Sequence, residues 1–169
     1  MKIITQTSRL LLREFLPGDA QFMYALNNDP EVLKYTGNQA FKSLDEAANF
    51  LKNYSDYKRN GFGRWVVILK ETGDFIGWCG LKLNEEDQVD IGFRFFKKYW
   101  NKGYATEAAR ACLEYGFSEL GIDQIIGRAM IENKASIRVL EKLGMQYWKI
   151  QNVEGLHNAA YYIIKKPNT

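Results

Sequence analysis

Histidine and cysteine are nearly missing from this sequence: His157 stands alone, and Cys79 and Cys112 have no CxxC spacing. One imidazole cannot build a multi-histidine metal site, so no metal is expected. A Ser-His-Asp or Cys-His device would have to recruit His157, and no GxSxG accompanies it, which sets nucleophilic hydrolysis aside. GxxxxGK[ST] and GxGxxG are also absent, removing the usual signs of nucleotide hydrolysis and dinucleotide binding. No apolar run approaches the roughly 20 residues needed to span a bilayer. Charges interrupt the opening MKIITQTSRLLLREF too early for a secretory segment, so a cytoplasmic location without a membrane partner is expected. The net charge of +3 is mild and its basic residues are dispersed, so direct nucleic-acid binding is not expected. No linker, repeat or low-complexity stretch divides the 169 residues, and 1–169 reads as a single domain.

What is present, 46% hydrophobic and 25% charged residues, suits an ordinary globular core. RLLLREF (9–15) reads as a strand, and PGD (17–19) opens a helix to about Asn28. DPEV (29–32) places Pro30 at a first helical position. Ser43 and Glu46 form a capping-box pattern heading a helix to about Tyr57. WVVILK (65–70), the turn ETGD and DFIGWCGLKL (74–83) read as an antiparallel hairpin. QVDIGFRFF (88–96) alternates with period two, and Gly92 within it suggests a bulge or a close backbone approach. From Ala105, small and apolar residues recur at helical spacing to Leu120. QIIGRAMI (124–131) is a strand, Asn133 caps a helix that stops at Gly144, and MQYWKI and NAAYYIIKK supply two last strands. The order predicts a mixed α/β (α+β) fold around a mostly antiparallel sheet. One parallel pair, 88–96 with 124–131, is joined by the long helix.

The stretch YWNKGYATEA joins a strand to that helix. Unpartnered amides and the dipole at a helix start favour an anion such as a pyrophosphate. Gly103 can take conformations closed to other residues and leaves room for a phosphate, although a plain turn glycine accounts for it equally well on the loop alone. Lys97, Lys98 and Lys102 precede the helix and are either solvated charges or phosphate partners.

KKYWNKGYATEA resembles the acyl-CoA-binding motif R/Q-x-x-G-x-G/A of the GNAT superfamily of N-acetyltransferases, with Gly103 and Ala105 at its last two fixed positions. Trp100 stands where Arg or Gln is usual, as in the ribosomal-protein-N-terminal-acetyltransferase-like (RimJ/RimL-like) branch. TSRLLLREF with Asp19, the NxxS…LEKLGM segment from Asn133 and the tyrosine-bearing last strand match the same branch, in order along the chain.

The resemblance implies a GNAT-type fold whose parallel strands splay apart, with helices flanking the sheet and acetyl-CoA as cosubstrate between the splayed strands. The backbone of Phe93, Arg94 and Phe95 would hold the pantetheine arm, with the Phe93 N–H as an oxyanion donor. Amides of Asn101, Lys102, Gly103, Tyr104, Ala105 and Thr106 would hold the pyrophosphate. Lys97, Lys98, Lys102 or Arg138 could meet the 3′-phosphate. Asp90 is the first candidate for the base, with Glu31 and Glu132 as alternatives. Many members carry a tyrosine acid where Leu140 stands, so Ser136 is the expected proton donor to the thiolate and Asn133 a cap that also lies near the cofactor. The implied reaction is direct acetyl transfer to a primary amine, either a protein N-terminus or a small molecule, by a monomer or homodimer. Asn158 replaces an aspartate common in the branch. A catalytically silent acyl-CoA sensor and a ribosome-associated RNA-binding module are the competing classes.

Overall fold

The computed structural model describes residues 1–168. Its eight strands form one sheet: β1 (Ile3–Gln6), β2 (Leu10–Arg13), β3 (Arg64–Leu69), β4 (Asp74–Leu83), β5 (Val89–Phe95), β6 (Gln124–Met130), β7 (Gln146–Val153) and β8 (Leu156–Lys165), in the order β1-β2-β3-β4-β5-β6-β8-β7. Every neighbouring pair is antiparallel except β5 and β6. The expected mixed sheet with one parallel pair is therefore the fold. Six helices flank it: α1 (Ala20–Leu26), α2 (Pro30–Leu33), α3 (Leu44–Lys52), α4 (Asp56–Asn60), α5 (Tyr104–Ser118) and α6 (Lys134–Lys142).

The period-two pattern of β3 divides the core into two layers. Trp65, Val67 and Leu69 join Ala108, Ala109, Cys112 and Leu113 of α5 in the larger cluster, whereas Val66 joins Met23, Leu26 and Leu51 beneath α1 and α3. Small residues on the inner face of α5 let that helix lie close to β4 and β5. Truncating a buried leucine of this layer, such as Leu113, would cost about 2–5 kcal/mol.

The caps read from sequence at Asp29, Ser43 and Asn133 form, but the reciprocal half of the Ser43–Glu46 box does not, since Glu46 takes the Lys42 N–H in place of that of Ser43. Asp29 accepts from the Glu31 N–H, and Ser43 accepts from the Glu46 N–H while Glu46 accepts from the Lys42 N–H. Asn133 accepts from the Ser136 N–H, and Gly144 follows α6 with φ +85°. Two other expectations need correction, and β1 is a further strand that no sequence pattern marks. The helix from Ser43 ends at Lys52, because Asn53 caps it and Tyr54 turns its hydroxyl to accept from the Arg64 N–H at 2.7 Å. Gly92 marks no bulge: the β4–β5 register runs unbroken from Gly77↔Phe95 to Leu83↔Val89, and the irregularity lies between β3 and β4 near Gly77.

Candidate active site

The pairing of β5 with β6 covers only Asp90↔Ile126 and Ile91↔Gly127, after which the strands separate. Amides in an antiparallel strand alternate sides. The Phe96 N–H donates to Ile76 O across to β4, so the main-chain groups of Phe93 and Phe95 are directed to the side where β6 has departed. The Phe95 carbonyl there accepts from the Trp100 indole N–H at 2.9 Å. This bond gives Trp100 a role that motif spacing did not suggest: it ties the loop back onto the end of β5. The gap is a row of main-chain donors and acceptors with no strand to satisfy them, and extended ligands fit such an edge.

The connection from β5 to α5 continues that main-chain theme. Asn101 and Gly103 adopt left-handed conformations with φ +61° and +82°. Gly103 is the N-cap of α5 without any side-chain cap, and the first intrahelical bond runs from the Glu107 N–H to Gly103 O. The N–H groups of Tyr104, Ala105 and Thr106 are thus left without helical partners at the positive end of a 15-residue helix.

An N-terminal arginine braces the loop. Arg9 donates to Lys102 O at 3.1 Å, pairs with Glu107 at 2.6 Å and lies 4.5 Å from the centre of the Tyr104 ring. Burial alone would raise the Glu107 carboxyl, but bonds from Thr7 and Arg9 outweigh it and hold the group below the usual carboxylate range. Neither Arg9 nor Glu107 was singled out from sequence, since 98 residues separate them.

On the other side of the gap lies a cavity of about 1180 Å³ that brings Asp90, Gly92, Phe93, Asn133, Ser136 and Leu140 together. Ser136 is on the first turn of α6 with Asn133 as cap. Leu140 is buried and packs over Gly127, whose missing side chain leaves that space. Arg138 and Lys102 are exposed and do not line the cavity. Lys97 and Lys98 sit in an exposed turn beside the loop. Gly103 and Thr106 line a separate depression with Thr7, Ser8 and Glu107.

Asp90 departs from its expected role as a base. Its side chain is only 7% exposed and accepts from Arg64 at 3.2 Å and from Arg128 at 2.8 and 3.1 Å. Arg128 also donates to Glu85 at 2.7 Å, and Arg64 donates to the carbonyls of Gly80 and Asp90 at 2.7 and 3.1 Å. A proton arriving at Asp90 would break two charge-assisted contacts, so the group anchors guanidinium ions rather than collecting protons. Burial works against the charge of Arg128, yet Asp90 and Glu85 outweigh it and hold this guanidinium more firmly protonated than usual. The network also explains Gly92: a Cβ there would lie 2.6 Å from the Arg64 guanidinium carbon.

A third arginine on this face, Arg94, stacks on Trp78 with its guanidinium 5.2 Å from the ring centre, beside Arg64 at 5.3 Å. It donates to the side chains of Asn27 and Asn38. Over the cavity, the segment after α2 meets the β7–β8 turn. A Cβ on Gly37 would lie 1.6 Å from Gly155 O, so the two main chains touch. Both segments line the cavity. Among the described residues no cluster of three or more acids, cysteines or histidines could hold a metal ion, and no helix is long and apolar enough to cross a membrane.

Comparison with known proteins places this geometry in context. Residues 9–146 match the family described as Acetyltransferase (GNAT) domain. An uncharacterised N-acetyltransferase of Bacillus subtilis, YnaD, is 40% identical over 141 residues, covering 83% of this chain and 81% of its own. The crystal structure of a GNAT-family acetyltransferase from Bacillus anthracis superposes with a TM-score of 0.80 at 34% identity, covering 97% of this chain and 98% of that one. A spermidine N-acetyltransferase from Vibrio cholerae, solved with CoA and spermine, shares the fold at a TM-score of 0.78 and 21% identity, over 95% of this chain and 97% of its own.

Proposed function

The chain belongs to the GNAT acetyltransferase family and is an N-acetyltransferase; on that premise we propose that it moves the acetyl group of acetyl-CoA to a primary amine by direct attack in a ternary complex. The observation that carries the reading is the gap beyond Ile91↔Gly127, where the main chain of β5 has no β6 partner and leads to the uncapped start of α5. The motif YWNKGYATEA and the Asn133–Ser136 segment favour the RimJ/RimL-like branch within the family.

Acetyl-CoA, when bound, supplies an activated thioester. The chain's own groups would do the rest. The main chain of Phe93 and the Phe95 N–H hold the pantetheine arm in extended form; the Arg94 main chain, expected to share in this, faces β4 instead. The Phe93 N–H stabilises negative charge developing on the acetyl oxygen, a contribution that commonly reaches about 10²–10³ in rate for one donor. Amides from Asn101 to Thr106 take the pyrophosphate, with Arg9 fixing the loop by its bond to Lys102 O. Lys102 and Arg138 are exposed cations on either flank for the 3′-phosphate.

Ser136 would relay a proton to the departing sulfur, its hydroxyl taking one from water as it gives one up, and Asn133 holds the turn that aims it. The amine loses its proton to water, since a protein α-amino group of pKa about 8 is already partly neutral near pH 7. Asp90 positions Arg64 and Arg128 instead of acting as base.

A thiol-release assay with acetyl-CoA and a panel of amines and peptides tests the reading. Thiol release accompanied by acetylated amine is expected. Tight acetyl-CoA binding with no transfer to any acceptor would reject it in favour of a silent sensor. Ser136→Ala should lower kcat about tenfold with little change in the KM for acetyl-CoA.

A further inference from the structure

The acids around the cavity are largely occupied. Asp90 is shared by Arg64 and Arg128, Glu85 pairs with Arg128 at 2.7 Å, and Asp56 pairs with Arg59 at 3.2 Å. Glu46 serves the start of α3. Glu154, without an ion pair among the described residues, is exposed on the β7–β8 turn, and Lys82 is exposed at the opposite rim. On the sheet floor one cation is left over. Arg94 makes no ion pair among the described residues and is satisfied only by the neutral side chains of Asn27 and Asn38.

A guanidinium has five N–H donors in a planar fork, so two asparagine contacts leave three for another partner. Trp78 and the two asparagines fix the plane of that fork, which lowers the entropy lost when a planar anion docks. Burial, aided by the neighbouring Arg64, pulls the Arg94 pKa down to about 10, so the group remains charged at neutral pH but lacks a counter-ion. Arg94 is also close to the chemistry. It shares a strand face with Gly92, two residues or about 6–7 Å along the strand, and Phe93 lies between them. An amine near Phe93 and an anion at Arg94 therefore fit within one small molecule.

We propose that Arg94 is the specificity-determining residue of this cavity, and that it binds the carboxylate of an acceptor of the amino-acid class. The acetylated amine then belongs to a molecule carrying a negative charge a few bonds away, and a polyamine is disfavoured. The proposal rests on the acetyl-transfer reading given above. A carboxylate suits the planar fork because two parallel N–H···O bonds form at once.

The test compares acceptors that differ only in the carboxylate: glycine with glycinamide, leucine with leucinamide, and phenylalanine with phenylalaninamide, with spermidine as the cationic competitor. Thiol release gives kcat/KM for each, and calorimetry gives the affinity of each free amino acid for the protein saturated with CoA. The acid member of at least one pair should exceed its amide at least tenfold, although the amide's amine is the more readily neutral. Arg94→Gln should collapse that ratio to about one, chiefly through the KM of the acid, and Arg94→Lys should restore part of it. Should Arg94→Gln fail to fold, the wild-type ratio still decides. Amides or spermidine turning over as well as the acids would overturn the proposal while leaving acetyl transfer intact. Arg94-dependent binding of an amino acid without any thiol release would support the carboxylate site and overturn acetyl transfer. Neither binding nor turnover of any acid, with spermidine also inert, would overturn both.

Discussion

On the side of the β5–β6 gap that leads to α5, the protein presents main-chain groups: the strand edge of Phe93 and Phe95 and the amides of Tyr104, Ala105 and Thr106. On the side that faces α1–α4, it presents charged side chains: Arg64, Asp90, Arg94 and Arg128, from three strands. The difference teaches how each half tolerates sequence change. A main-chain surface depends on conformation, so it constrains a few positions such as Gly103. A side-chain network depends on every member, because removing one charge strands the others.

The largest expected effect is therefore on the charged side. Asp90→Ala leaves Arg64 and Arg128 facing each other without their shared anion and should destabilise the fold by about 3–5 kcal/mol, read by urea unfolding. A change below 1 kcal/mol would show that the network is solvated and the contrast between the halves false. Next, Gly103→Trp should weaken acetyl-CoA binding about a hundredfold, close to 2.7 kcal/mol, with the fold retained. The substitution forces a side chain into a left-handed position and crowds the Arg9 guanidinium that braces the loop, 3.3 Å from where the added Cβ would sit. Unchanged affinity by calorimetry would remove the loop from the cofactor half.

Gly92→Ala joins the halves, since the added carbon would push on the Arg64 guanidinium from the strand that also borders the gap. Overpacking of this kind should cost about 1–3 kcal/mol, and the loss should shrink in an Arg64→Ala background, which a double-mutant cycle measures. The smallest effect belongs to Glu107→Gln at the brace under the loop, about 1 kcal/mol or less because Arg9 is partly exposed. The Glu107 carboxyl titrates lower in the folded chain than the ordinary value near 4.3. Its stabilisation is thus complete above that value and fades as pH falls through the folded one. Thermal unfolding should separate Glu107→Gln from the wild type at pH 7, and the gap should narrow below about pH 4. A gap that widens in acid would assign the anchor to another group.

The same contrast explains what could be read from sequence. The helix from Tyr104, the Ser43 cap, the Asn133 cap and the Gly103 loop are local patterns, with cause and effect a few residues apart. The parallel pair followed from the order of elements. Asp90 misled because its neighbours in sequence, Val89 and Ile91, say nothing of Arg64 and Arg128, which arrive from 26 and 38 residues away. A glycine inside a strand pattern points to a backbone device, whereas the reason for Gly92 is the Arg64 guanidinium lying on it. Arg9 and Glu107 meet across 98 residues, and no spacing rule reaches that far. The early end of the helix at Lys52 likewise depends on Tyr54 bonding to Arg64, a tertiary contact overriding local propensity.

The meeting of Gly37 with Gly155 sets a clearance. Two bare main chains cross above the cavity with no room for even a methyl group on Gly37, so the ceiling there is as thin as polypeptide can be and cannot be lowered by closer packing. Any side chain added at Gly37 would lift the bridge and part its two piers, the segment after α2 and the β7–β8 turn. Both segments line the cavity, so its margin on that side is fixed by bare main chain at Gly37 and not by the choice of a side chain.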